Sequence, residues 1–266
     1  MPRAPLAVLD LVPVSSGSNN SEALRNAVDL ARVTERAGYQ RYWFAEHHLN
    51  PGVIGVSPAL CIALVAGATS TIRLGSAGVQ FGHRTPLSVA EEFGLLAAAY
   101  PGRLDLGLGR SIGRPVPAGA TSGSDGGGAA AERVPVAAAA ASYRAQTGGG
   151  AHTTAEYADN GLLVPKRFDF TKLLGSPRLA LTLSLLQQPG AYTPPYDQQI
   201  DELLALLRGT YRSADGYDAH ANPGEGAPLE LWILGASGGS SAEVAGQRGL
   251  RFAASYHHSP STVLDA

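Results

Sequence analysis

Apolar positions along the chain follow two alternating rhythms. Four short runs are apolar nearly throughout: Leu6 to Val12, Tyr42 to Ala45, Ile72 to Val79 and Leu104 to Gly109. Such runs predict strands covered on both faces, and the segments between them return an apolar residue every three or four positions, as amphipathic helices do. After the first run, Leu24, Ala27, Val28 and Ala31 share one helical face that Gly38 closes. Ser57-Pro58 and Thr85-Pro86 each set a capping hydroxyl before a proline at the first helical position, so a helix starts at each. The helix from Pro58 to Ala68 is almost wholly apolar, which predicts burial against the core or a second subunit. The other turns Val89, Ala90, Phe93, Leu96 and Ala97 inward and stops at Pro101-Gly102.

Beyond residue 160, Ile200, Leu203, Leu204 and Leu207 form a core-facing stripe ahead of Gly209. Leu229 to Leu234 and Leu250 to Tyr256 predict two more strands around a short helix, Ser241 to Gln247. Repeated βα units imply an α/β fold with a parallel sheet or barrel. From Ser111 to about Asn160, glycine, alanine, serine and proline replace any apolar period. A stretch of that length at the carboxyl end of a strand is expected to be a lid or a surface insertion within one domain covering residues 1–266.

Composition narrows the functional classes. The formal net charge of −2 has no basic stripe behind it, which argues against a nucleic-acid partner. Cys61 is the one cysteine and lies in an apolar run, so it reads as a small core residue in a reducing compartment. No secretory signal opens the chain and no apolar run approaches a membrane span, so a cytoplasmic location without membrane association is expected.

The candidate chemistry gathers where the second strand ends, in Glu46-His47-His48, because parallel α/β folds carry reactive groups at the carboxyl ends of their strands. Neighbouring side chains on an extended segment face opposite ways, so His48 and Glu46 do not share the surroundings of His47, and Glu46 is expected to brace the region from behind. Two adjacent histidines cannot readily ligate one ion, and no third ligand stands at a recognisable spacing, so no metal is expected. A second candidate is Gly235-Ala236-Ser237-Gly238-Gly239-Ser240-Ser241, a small-residue loop leading from a strand into a helix. Glycines let backbone approach an anion there, and the helix's first amides and the serine hydroxyls supply donors.

Four blocks in order, Tyr42-Trp43-Phe44-Ala45-Glu46-His47-His48, Arg73-Leu74-Gly75-Ser76-Ala77-Gly78-Val79, Pro101-Gly102-Arg103-Leu104-Asp105-Leu106-Gly107-Leu108-Gly109-Arg110 and Trp232-Ile233-Leu234-Gly235-Ala236-Ser237, resemble the bacterial luciferase-like flavin monooxygenases. The resemblance implies a TIM-type barrel, reduced FMN used as a diffusible substrate, O2 activation, a small organic substrate, a separate NAD(P)H flavin reductase and a homodimer. It places His47 beside the flavin ring as a proton-handling residue, and Ala77-Gly78 beneath the ring, at a bulge that in relatives can hold a non-prolyl cis peptide. Arg110 and the loop Ser237, Gly238, Gly239, Ser240 and Ser241 fall where the family meets the flavin phosphate. Gly109 occupies the position of the luciferases' reactive cysteine, so light emission is not implied. The family pattern continues through two more βα units than this chain contains, which predicts an open barrel of marginal stability unless Val164 to Leu186 or a second chain covers the edge. Two other readings stay open: a deazaflavin-dependent oxidoreductase of the same fold, and a non-catalytic flavin-binding or truncated protein.

Overall fold

A computed structural model describes residues 4–111, 154–165, 177–236, 239–257 and 260–265. The chain divides into two compact units, one of Met1–Gly109 with Gln198–Trp232 and the other of Arg110–Asp197 with Ile233–Ala266. The expected lid at 111–160 lies outside the described residues, apart from Ser111 and the segment 154–160.

In the first unit, β1 (Ala7–Asp10), β2 (Arg41–Phe44), β3 (Arg73–Ser76) and β5 (Leu104–Gly109) pair side by side in parallel, followed by the start of β8 (Leu229–Gly235). Helices α1 (Asn20–Arg36), α2 (Pro58–Ala66) and α3 (Pro86–Ala99) connect successive strands. The βα reading therefore holds, with the parallel sheet of a TIM-type barrel left open. The caps act as expected: Ser57 Oγ accepts from the Leu60 amide at 3.5 Å and Thr85 Oγ1 from the Ser88 amide at 3.2 Å, each ahead of a proline.

Strand alternation sorts the side chains onto two faces. Tyr42, Phe44, Leu74, Leu104, Leu106 and Leu108 are fully or almost fully buried on the helix side, where they meet Ile62 and Val65 of α2 and Val89, Ala90, Phe93, Leu96 and Ala97 of α3. Tyr42 also donates to Asp10 Oδ2 at 2.5 Å, and burial followed by that carboxylate pushes its phenol well above its ordinary range. The opposite face carries an ionic cluster at the amino ends of the strands. The fully buried Asp105 carboxylate accepts from Arg41 Nε at 3.1 Å, Trp43 Nε1 at 2.8 Å and Arg73 Nε at 2.8 Å, while Glu230 pairs with both arginines. Gly75 makes room for it, since a Cβ there would meet the Asp105 carbonyl oxygen at 2.6 Å and the Trp43 ring at 2.9 Å.

One expectation changes. The run Ile72 to Val79 is not one strand: β3 stops at Ser76, the Ala77-Gly78 peptide is cis, and β4 (Val79–Gln80) resumes against Leu108 and Gly109 of β5. Ser76 Oγ bridges the interruption by donating to the Gly107 carbonyl at 2.8 Å and accepting from its amide at 3.0 Å. Helix α2 buries one face only, because Leu60 and Leu64 are 67% and 55% exposed. An all-apolar sequence has no polar face to mark the side that looks outward.

In the second unit, β6 (Glu156–Tyr157) and β7 (Leu163–Val164) form a separate antiparallel pair, followed by α4 (Pro177–Leu186). Val164 to Leu186, offered as a possible cover for the sheet edge, thus contributes half a hairpin and a helix, with 166–176 outside the described residues. The end of β8, α6 (Ser240–Arg248) and β9 (Arg251–Ala254) complete the unit, and Gly249 ends α6 with a left-handed φ of 63°. Helix α5 (Tyr196–Arg208) begins here and runs into the first unit, where Ile200, Leu203 and Leu204 are buried as their spacing predicts.

Candidate active site

The segment Ala45 to His48 continues β2 past its last paired residue and is held by neighbours on both sides. Val12 leaves β1 with φ of 53°, uncommon for a β-branched residue, and its amide donates to Asp10 Oδ1 at 2.7 Å. That bend lets Gly52 to Gly55 run back along Leu11 to Val14 through Val14 N to Gly52 O at 2.8 Å, Ile54 N to Val12 O at 3.1 Å and Gly55 N to Leu11 O at 3.2 Å. The Gly55 carbonyl then accepts the His47 amide at 2.8 Å. Only glycine fits at position 55, where a Cβ would meet the Leu11 and Ala45 carbonyl oxygens at 2.9 and 3.1 Å.

Glu46 is the electrostatic centre of this region, with 3% of its surface exposed. Its Oε1 accepts from His48 Nε2 at 2.9 Å and lies 3.1 Å from His83 Nε2 and 3.5 Å from Arg84 Nε. Its Oε2 accepts from the Gln80 amide at 3.0 Å. Burial pushes the carboxyl upward, but the imidazole bonds of His48 and His83, the Arg84 charge and the Gln80 amide together outweigh it and hold Glu46 down at about 2. It is therefore a carboxylate across the neutral range. The bracing role foreseen for Glu46 is present, and through it the end of β2 is tied to β4 and to the short 3-10 turn Phe81–His83. Gln199 of α5 secures that turn by donating to the Phe81 carbonyl at 2.9 Å.

His83, Arg84 and Gln80 were not singled out from sequence. Their partner Glu46 is distant in the chain, so no local spacing marks them. His83 also supplies a third ligand-type group that spacing did not reveal: ligand atoms of Glu46, His48 and His83 lie within 4.8 Å of one another. Both oxygens of Glu46 are already engaged, and a guanidinium cation stands against Oε1, so a hydrogen-bonded cluster accounts for all three side chains. The Arg84 charge is shared with Glu92, whose two oxygens each lie 3.0 Å from Nη1.

The Ala77-Gly78 peptide follows the end of β3, the strand beside β2, and the Ala77 amide donates to the Phe44 carbonyl at 2.7 Å. The structure thus brings His47, Glu46, Ala77 and Gly78 to the carboxyl ends of two adjacent strands of the first unit, as the sequence blocks implied.

The predicted phosphate residues lie in the second unit. Arg110 Nη1 donates to Ser240 Oγ at 2.6 Å, where Ser240 is the first residue of α6. Gly239, the N-cap, has no side chain with which to cap the first turn, and Ser241 follows in that turn. Gly235 packs so tightly that a Cβ would meet the Phe252 ring at 2.9 Å and Ser241 Cβ at 3.0 Å. Ser237 and Gly238 lie outside the described residues.

A parallel βα sheet with an imidazole and carboxylate cluster at the carboxyl ends of its strands is the arrangement of a barrel-type enzyme scaffold. A family model described as luciferase-like monooxygenase matches residues 5–157, more than half of the 266 residues, and the chain belongs to that family. The uncharacterized protein YvbT of Bacillus subtilis (strain 168) is 32% identical over 263 residues, covering 98% of this chain and 58% of its own. A luciferase-like monooxygenase of Escherichia coli (strain K12) is 47% identical over 107 residues, 40% of this chain and 32% of its own. Among solved structures, apo-MsnO8 superposes with a TM-score of 0.60 at 28% identity, covering 97% of this chain and 57% of the other. The oxygenating constituent of 3,6-diketocamphane monooxygenase from the CAM plasmid of Pseudomonas putida, in complex with FMN, gives 0.54 at 15% identity over 93% and 56%, a likeness of fold alone. The chain spans a little over half the length of the relatives that it matches along its whole extent.

Proposed function

We propose that this chain is a flavin-dependent monooxygenase that takes reduced FMN from a separate NAD(P)H flavin reductase. Its overall reaction would consume a small organic substrate, O2 and reduced FMN, and yield the substrate carrying one oxygen atom, water and oxidised FMN. The observation that carries the reading is that His47, beside the Glu46 cluster, and the Ala77-Gly78 peptide stand at the ends of neighbouring strands. Ala77 and Gly78 suit a planar ring, because they present backbone without bulk. Arg110 and Ser240 suit a phosphate: a guanidinium, a hydroxyl and a helix start without a side-chain cap are three kinds of donor for anionic oxygens. Ser237, Gly238, Gly239 and Ser241 are assigned to the same group.

Bound reduced FMN would supply the two electrons for oxygen reduction. The residues of the chain would hold and orient it and manage protons, with the His47 imidazole taking and returning a proton near the ring, a task suited to a side chain that titrates near neutrality. The anionic Glu46 stays out of proton exchange at neutral pH and keeps its neighbours in place. The exposed Leu60 and Leu64 of α2 support the homodimer reading, with that apolar face as the contact. Among the described residues no helix is long and apolar enough to cross a membrane.

The deciding experiment is an anaerobic titration with reduced FMN, followed by admission of oxygen and measurement of how fast the bound flavin is reoxidised. Saturable binding with a reoxidation rate unlike that of free flavin is the expected result. Absence of binding would refute the reading, and selective binding of a reduced deazaflavin would transfer it to hydride chemistry on the same fold.

A further inference from the structure

The peptide that joins Glu46 to His47 is gripped from both sides. Its carbonyl oxygen, that of Glu46, accepts from Gln80 Nε2 at 2.6 Å, and its N–H, that of His47, donates to Gly55 O at 2.8 Å. Gln80 reaches the same residue a second time, because its own amide donates to Glu46 Oε2 at 3.0 Å. A backbone carbonyl beyond the last ladder pair of a strand normally has water to bond; here a half-buried amide side chain takes that place, and the carboxylate of the same residue is fixed as well. Gln80 is also paired in the sheet opposite Gly109 and stands two residues after Gly78. One residue therefore connects the histidine-bearing end of β2 to β4, the strand that follows Ala77 and Gly78.

We propose that Gln80, acting with Glu46, is the positioning residue that sets His47 relative to the Ala77-Gly78 platform. The peptide plane between Glu46 and His47 fixes the direction in which the His47 Cα–Cβ bond leaves the backbone. Without the Gln80 side chain the plane loses the bond at its carbonyl and keeps the one from its amide to Gly55, so it is held less firmly. Glu46 contributes by its charge: with Oε1 occupied by His48 and His83, its Oε2 holds the Gln80 backbone in the register from which the amide side chain reaches the carbonyl. The inference deepens the monooxygenase reading and rests on His47 being its proton-handling group.

Gln80→Met keeps length and bulk but removes the amide donor, and Gln80→Glu keeps the shape while placing an ionised oxygen against the carbonyl. Two quantities are measured on the full chain: hydrogen exchange of the His47 amide by NMR, and reoxidation in air of bound reduced FMN alongside its dissociation constant. In both variants the His47 amide should exchange on the order of tenfold faster or more. Reoxidation should shift toward the free-flavin rate by about ten- to a hundredfold, with reduced FMN affinity held within about twofold. Retained wild-type protection of the His47 amide in both variants overturns the proposal. So does lost protection with an unchanged reoxidation rate when His47→Ala alters that rate. If His47→Ala itself changes nothing, the assignment of His47 fails instead, and the amide exchange still decides whether Gln80 holds the peptide.

Discussion

Replacing Asp105 by Ala should be among the most damaging single changes on the inward face of the sheet. The carboxylate is fully buried: its Oδ2 accepts from Arg41 Nε and Trp43 Nε1 at 3.1 and 2.8 Å, and its Oδ1 from Arg73 Nε at 2.8 Å, with Arg73 Nη2 2.6 Å away. Removing one partner of a buried ion pair costs about 3–5 kcal/mol, because the remaining charge stays in place without compensation. Two features set the expectation at the lower end of that range. The Arg41 and Arg73 side chains keep 18% and 22% of their surface in contact with solvent, and Glu230 stays within 2.9 and 3.3 Å of them. Against this, Trp43 Nε1 loses its acceptor in a half-buried position, which adds to the loss. We expect a net loss of about 3–4 kcal/mol. With a urea dependence of about 3 kcal/mol per molar, the unfolding midpoint should fall by about 1 M. Trp43 and Trp232 are the only tryptophans and pack edge to face with centroids 5.1 Å apart beside this cluster, so tryptophan emission reports the transition directly. Asp105→Asn should lose less, since it keeps one acceptor oxygen. A loss below about 1 kcal/mol for Asp105→Ala at unchanged urea dependence would refute the reasoning, because it would place the pair among solvent-screened surface contacts.

Three further outcomes are expected. Arg110→Met should weaken FMN binding by about ten- to a hundredfold, the loss of a charge-assisted hydrogen bond, and leave riboflavin, which has no phosphate, unaffected in the same fluorescence titration. Glu35 accepts the consecutive amides of Ser70, Thr71 and Ile72 at 2.8, 2.6 and 2.9 Å; its slight burial opposes ionisation, but these bonds hold it at about 2 against an ordinary 4.5. The folded state thus favours the carboxylate, so the stability contributed is complete above about 4.5 and is lost as pH falls through about 2, and Glu35→Gln should flatten the stability profile in that window when unfolding is followed by circular dichroism. Leu60→Lys together with Leu64→Lys should convert a dimer to monomers in sedimentation velocity without lowering the monomer's helix content, since both side chains are already exposed in the single chain.

The architecture was legible where one local signal sufficed. Ser57-Pro58 and Thr85-Pro86 start helices because capping and proline geometry act within one turn, and Val89, Ala90, Phe93, Leu96 and Ala97 are buried because helical period alone puts them on one face. The blocks around Glu46-His47-His48 and Ala77-Gly78 were legible as candidate sites because strand ends carry chemistry in parallel sheets, and because their order resembles a family to which the chain belongs. The ionic cluster of Arg41, Arg73 and Asp105 was not read from sequence; it exists because parallel register sets Arg41 opposite Arg73 and brings Asp105 beside Gly75.

By itself the sequence determined the succession of strands and helices, their capping, and which peptide segments could bear reactive groups, since each of these depends on residues within a few positions of one another. Only the tertiary structure decided that Glu46 is shared by His48 and His83, that Gln80 grips the Glu46–His47 peptide, and that α2 leaves Leu60 and Leu64 outside. Apart from the contact of Glu46 with His48 two residues on, those contacts depend on how separate elements pack, and nothing local encodes them. They arise from the register in which β2, β3, β4 and β5 come together and from the burial that makes each unpaired polar group costly.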